Sequence, residues 1–134
     1  MKNIILILFF SLLSFSAYAV NDFKCTVKDA VNLENNGTLN HKSDLVLGYL
    51  GKEFVVNRRT GVITGAGISN VMSGKMPTVY EYLPNENGYK VVTLYTPNNT
   101  IDYLQINQYS NGKEKPFFFK GAFGEMLSGT CVVF

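Results

Sequence analysis

Only two cysteines occur in this chain, Cys25 and Cys131, and they stand near its opposite ends. A disulfide holds its two Cα atoms within about 7 Å. If these residues pair, the first and last folded segments must therefore be neighbours. Two cysteines allow one intramolecular bridge, the alternatives being two free thiols or pairing between molecules. In the chain-entropy view, closing a loop of about 100 residues contributes roughly 4.7 kcal/mol. For a chain leaving the reducing cytoplasm, the single bridge is the expectation.

The N-terminus has the layout of a secretory leader. Lys2 precedes an apolar run from Ile4 to Phe15, and Ala17-Tyr18-Ala19 offers an A-x-A cleavage site before Val20. The run is shorter than the roughly 20 apolar residues needed to span a bilayer, so no transmembrane anchor is expected after cleavage. Residues 1–19 read as signal peptide and residues 20–134 as one domain, with a periplasmic or secreted location. Of the 12 basic residues Lys2 leaves with the leader, so 11 stand against 10 acidic ones. Near-neutral charge with no basic run longer than two residues excludes nucleic acid as an expected partner.

The remainder alternates short apolar runs with turn residues. Phe23, Cys25 and Val27 interleave with Lys24, Thr26 and Lys28, the period of a half-buried strand. Asn32 to Asn40 reads as a loop. Ser43-Asp44 before Leu45-Val46-Leu47 suits a short helix within residues 43–50, although Leu45 to Leu50 also fits a strand broken at Gly48. Glu53 to Asn57 and Val62 to Thr64 flank a hairpin in which Gly61 supplies positive φ. Further strands are expected at Thr78 to Leu83, Tyr89 to Thr96, Thr100 to Tyr109, Pro116 to Phe123 and Thr130 to Phe134. The fold class is all-β: a single-domain antiparallel meander closed as a curved sheet, small barrel or compact sandwich.

Reading Pro97-Asn98-Asn99 as a three-residue loop pairs Tyr95 with Ile101, Thr93 with Tyr103, Val91 with Gln105 and Tyr89 with Asn107. One face then carries Tyr89, Tyr95 and Tyr103 with Gln105 and Asn107, a candidate binding surface of rigid amphipathic side chains. An even loop would exchange the faces. The bland alternative is that tyrosine simply favours strands. Arg58 and Arg59, at a hairpin tip, are candidates for an anion clamp, set against an ordinary solvated turn. In Phe117-Phe118-Phe119, alternation turns Phe118 away from its neighbours; Lys113, Lys115 and Lys120 lie close by.

Enzyme signatures are thin. His41 is the sole histidine, the cysteines are expected to be bonded together, and Asp29, Glu81, Asp102 and Glu125 show no spacing that marks a catalytic pair. Gly61, Gly65 and Gly67 lack the lysine and helix of a phosphate loop. No catalytic residue, metal ligand or cofactor is assigned.

The segments Phe23-Lys24-Cys25-Thr26-Val27-Lys28-Asp29-Ala30, Phe54-Val55-Val56-Asn57-Arg58-Arg59-Thr60-Gly61 and Ser128-Gly129-Thr130-Cys131 resemble a group of small secreted proteins of Gram-negative bacteria with a cysteine near each end. The resemblance implies a periplasmic or secreted location and brings no activity. The expectation is an exported, disulfide-stabilised binding protein contacting a protein, an envelope component or a small ligand. A carboxylate-dependent hydrolase and a structural envelope protein are the other readings. A concave pocket holding two acidic groups would favour the hydrolase, and a flat tyrosine-rich face would favour binding.

Overall fold

The structure, a computed structural model, describes residues 21–72, 74–81 and 88–134. The leader, the end of the strand expected at Thr78 to Leu83 and most of the turn after it lie outside the described residues. The elements run in the order β1 (Phe23–Leu33), β2 (Leu39–Asn40), α1 (Asp44–Leu47), β3 (Glu53–Val56), β4 (Ile63–Gly65), β5 (Thr78–Tyr80), β6 (Tyr89–Tyr95), β7 (Thr100–Ile106), β8 (Lys115–Lys120) and β9 (Glu125–Val133). The expected all-β class holds, and Ser43 caps the short helix by accepting from the Val46 N–H. No helix among the described residues is long and apolar enough to cross a membrane.

Eight strands form one antiparallel sheet in the order β4-β3-β1-β9-β8-β7-β6-β5, curled into a half-barrel, with β2 paired to β1 at the side. From β5 to β9 the path is a plain meander. It continues where β9 pairs with β1, so the first and last strands lie side by side in the interior of the sheet. The opening lies between β4 and β5, the edges that residues 66–77 connect.

Cys25 and Cys131 are opposite one another in the β1–β9 ladder and are bonded. The sulfurs face the concave side, both cysteines being fully buried. They pack there with Phe23, Phe54, Leu104, Ile106, Phe119 and Leu127. Curvature brings distant strands together: Phe54 of β3 meets Phe117 of β8 edge-on at 5.1 Å, and Phe23 of β1 meets Tyr89 of β6 at 5.0 Å. Phe118 does point outward, 42% exposed between buried Phe117 and Phe119.

Two expectations of strand extent are corrected. β1 does not stop at Lys28, because a bulge there shifts the pairing from Val27–Gly129 to Asp29–Ser128 and the strand continues to Leu33. The extra residue reverses the alternation, so Ala30 turns inward where parity would place an odd-numbered residue. Gly129 permits the close approach: a Cβ there would lie 2.0 Å from the Thr26 carbonyl oxygen. β9 likewise begins at Glu125, five residues before the expected start.

The open side is tied by side chains. Asn70, fully buried, accepts from the Ile63 N–H and donates to the Gly61 carbonyl, each at 2.8 Å. Its amide thus serves edge strand β4 as a neighbouring strand would. Near the β3–β4 turn, the Arg58 guanidinium donates to Glu81 and to Gln108 Oε1, and Gln108 donates in turn to Glu81. Tyr89 donates its hydroxyl to the Arg58 carbonyl at 3.0 Å. Arg58 also lies over the Phe23 ring, 5.0 Å from its centre.

Candidate functional site

The β6–β7 connection takes four residues, Thr96 to Asn99, and the pairing is Tyr95–Thr100, Thr93–Asp102, Val91–Leu104 and Tyr89–Ile106. This is the even loop, one residue away from the three-residue expectation. Because side chains alternate, the slip sends whole sets of residues to other faces. Asn99 adopts the left-handed backbone, φ 55°, that the turn uses.

The expected tyrosine surface is therefore divided. Tyr89 and Tyr95 face the core. Tyr103, Gln105 and Asn107 stay together on the convex face as a hydrogen-bonded ladder. Tyr103 donates to Gln105 at 2.6 Å, and Gln105 donates to Asn107 at 2.7 Å. Arg58 and Arg59 do not act as a pair: Arg58 is engaged in the Glu81 clasp, while Arg59 is exposed.

In this register Asp102 of β7 faces the concave side, and Glu125 of β9 faces the same side. Asp102 shares its face with Leu104 and Ile106, and Glu125 shares its face with Leu127; each is 5% exposed. Both line a cavity of about 80 Å³ with Tyr49, Ile68, Met72, Phe119 and Phe123. Gly65, Ala66 and Gly67 all have positive φ, and this turn carries Ile68 down to the cavity. Met72 and Phe123 form an apolar rim, 61% and 78% exposed.

The two carboxylates are held differently. Asp102 Oδ2 accepts from the Tyr95 hydroxyl at 2.5 Å, and its Oδ1 accepts from the Ala122 N–H at 2.6 Å. Burial pushes its pKa up, and these two donors together with the charge of Lys120 pull it back. The Tyr95 hydroxyl is raised by burial first and by its bond to Asp102 second. The Glu125 carboxyl folds over Gly121, where a Cβ would fall 2.0 Å from Oε1. Its pKa is raised, chiefly by burial and then by the Asp102 charge, against lowering by backbone N–H groups and Lys120.

Glu125 Oε2 is buried with no hydrogen-bond partner among the described residues, as is Thr93 Oγ1 on β6. Most buried polar atoms have a partner, so an orphan acceptor on a residue that lines a cavity leaves a hydrogen-bonding capacity that a donor could use. No cluster of three or more metal-ligating side chains occurs among the described residues. The acids were visible in the sequence only as members of a scattered set. The signal that finds them is parity: an acid in the inward series of an alternating strand, readable once the register is known.

Compared with known protein families, with characterised proteins and with solved structures, the chain matches none.

Proposed function

We propose that this is an exported binding protein that takes a small ligand, or a protruding group of a partner, into the cavity above Asp102 and Glu125. The buried acceptor Glu125 Oε2 carries this reading: it has no donor among the described residues, and its side chain lines the cavity together with a second carboxylate. Ligand sites are concave and mostly apolar, with a few well-placed polar groups, and this cavity has that make-up on a small scale. Export is supported by the buried disulfide and by the resemblance to small secreted Gram-negative proteins.

The test is amide chemical-shift mapping of the labelled protein against a fragment set of cationic, neutral and anionic compounds. Shifts clustering on Tyr49, Asp102, Gly121 and Glu125 support the site. Shifts confined to Tyr103, Gln105 and Asn107 would move it to the convex face, and silence across the set would overturn it.

A hydrolase is the second reading, and one observation favours it. Two adjacent buried acids are hydrogen-bonded unequally, the arrangement that separates an acid from a base. At about 80 Å³ the cavity holds only two or three water-sized groups, which favours a captured head group over a substrate flanked by two working carboxylates. Turnover lost in Glu125→Gln would establish the hydrolase instead.

A further inference from the structure

We infer that the group this cavity takes is a protonated amine bearing methyl or short alkyl substituents. The inference rests on the ligand-site reading above and names its chemical class.

Polarity comes first. Both Asp102 oxygens already accept hydrogen bonds, whereas Glu125 Oε2 accepts none. The missing partner is therefore a donor, and with two carboxylates lining one cavity a positively charged donor gains from both. A neutral hydroxyl would satisfy Oε2 but add no positive charge beside two carboxylates that share the charge of Lys120. An anion would meet two like charges. Lys120 lies close enough for its charge to act on both acids, but its ammonium donates to the Ile101 carbonyl at 3.3 Å, and among the described residues no donor reaches Glu125 Oε2.

Size and wall chemistry narrow the class. A bare divalent cation such as Ca²⁺ wants six to eight oxygens, and the acids here form no three-membered ligating cluster among the described residues. Most of the remaining wall is apolar or aromatic, Tyr49, Ile68, Met72, Phe119 and Phe123, with Gly67 and the hydroxyl-bearing Ser69 beside them. Aromatic and thioether walls favour an ammonium whose substituents are carbon, which is less strongly hydrated than a metal ion. The exposed rim of Met72 and Phe123 extends this apolar surface outward, so an alkyl chain leaving the cavity stays in contact with protein. A free alkylamine and a lysine side chain of a partner protein share this chemistry.

The probes are butylammonium chloride, ammonium chloride, butanol, sodium butyrate, calcium chloride and a short peptide with blocked ends and one central lysine. Each is titrated into the labelled protein near neutral pH while amide shifts are followed. Butylammonium should saturate shifts at Asp102, Gly121 and Glu125, with butanol, butyrate and calcium giving none there. Glu125→Gln should weaken butylammonium by about 10- to 100-fold, the loss expected for a charge-assisted hydrogen bond, while keeping a dispersed native spectrum. Phe123→Ala changes an exposed side chain and should reduce the preference for butylammonium over ammonium.

Tighter binding of the lysine peptide than of butylammonium would identify the source as a protein side chain, and the reverse order a free amine. Binding of butanol, butyrate or calcium in place of butylammonium would overturn the amine class while leaving the cavity a ligand site. Equal affinity of Glu125→Gln and the native protein for butylammonium would overturn it as well. No shift at the cavity with any probe would overturn both the class and the site.

Discussion

Glu125 is held at a thermodynamic cost. A buried carboxyl with raised pKa is more protonated in the native state than in the unfolded chain, so stability falls as pH rises. For Glu125 and Asp102 that fall begins near their ordinary values of 4.5 and 3.8 and ends above their native ones. The charged and titratable groups around Glu125 are Asp102, Lys120, Tyr49 and Tyr95. Glu125→Gln should flatten this part of the profile and raise neutral-pH stability by about 1–2 kcal/mol, read from urea denaturation across a pH series. An unchanged slope would place the shift elsewhere. Thr93→Val replaces an orphan hydroxyl with a methyl of similar shape, and we expect a gain of about 1 kcal/mol, measured by thermal unfolding. Neither orphan was legible in the sequence, since Thr93 in an apolar strand looks like any β-branched residue.

At the scale of elements, the sheet edge at β4 depends on a loop side chain. Asn70→Ala would leave the Ile63 N–H and the Gly61 carbonyl buried without partners, and should cost about 2–3 kcal/mol. Hydrogen exchange at Ile63 should accelerate with it; slow exchange there in the variant would show that another group covers the edge. Most strands were readable from alternation and turn residues, as was the positive φ of Gly61. The β1 bulge was not, because the requirement lies in how closely Gly129 approaches Thr26 across the ladder. The tyrosine face also failed at this scale: one more residue in the loop after Tyr95 changed which side chains share a face.

For the molecule as a whole, the disulfide fastens the centre of the sheet. The β1–β9 pair joins the meander to the β3–β4 hairpin, and Cys25 and Cys131 lie opposite each other within it. The double variant Cys25→Ser, Cys131→Ser should lose up to about 4.7 kcal/mol, measured by chemical denaturation beside the native protein. A loss below about 1 kcal/mol would mean that strand pairing alone holds the ends together. The Arg58 clasp and the Asn70 amide tie the opposite, open side of the half-barrel, where no second disulfide is present among the described residues.

By itself the sequence determined the all-β class, the bridge between the chain ends and the outward turn of Phe118, because each depends on local alternation or on a unique pairing. Tertiary structure alone decided that Asp102 and Glu125 meet in one cavity, that Arg58 is a clasp, and that Tyr89 and Tyr95 are core residues. Those outcomes depend on register and curvature. A single residue in one loop changes a strand's facing, and only the curled sheet brings side chains from distant strands together.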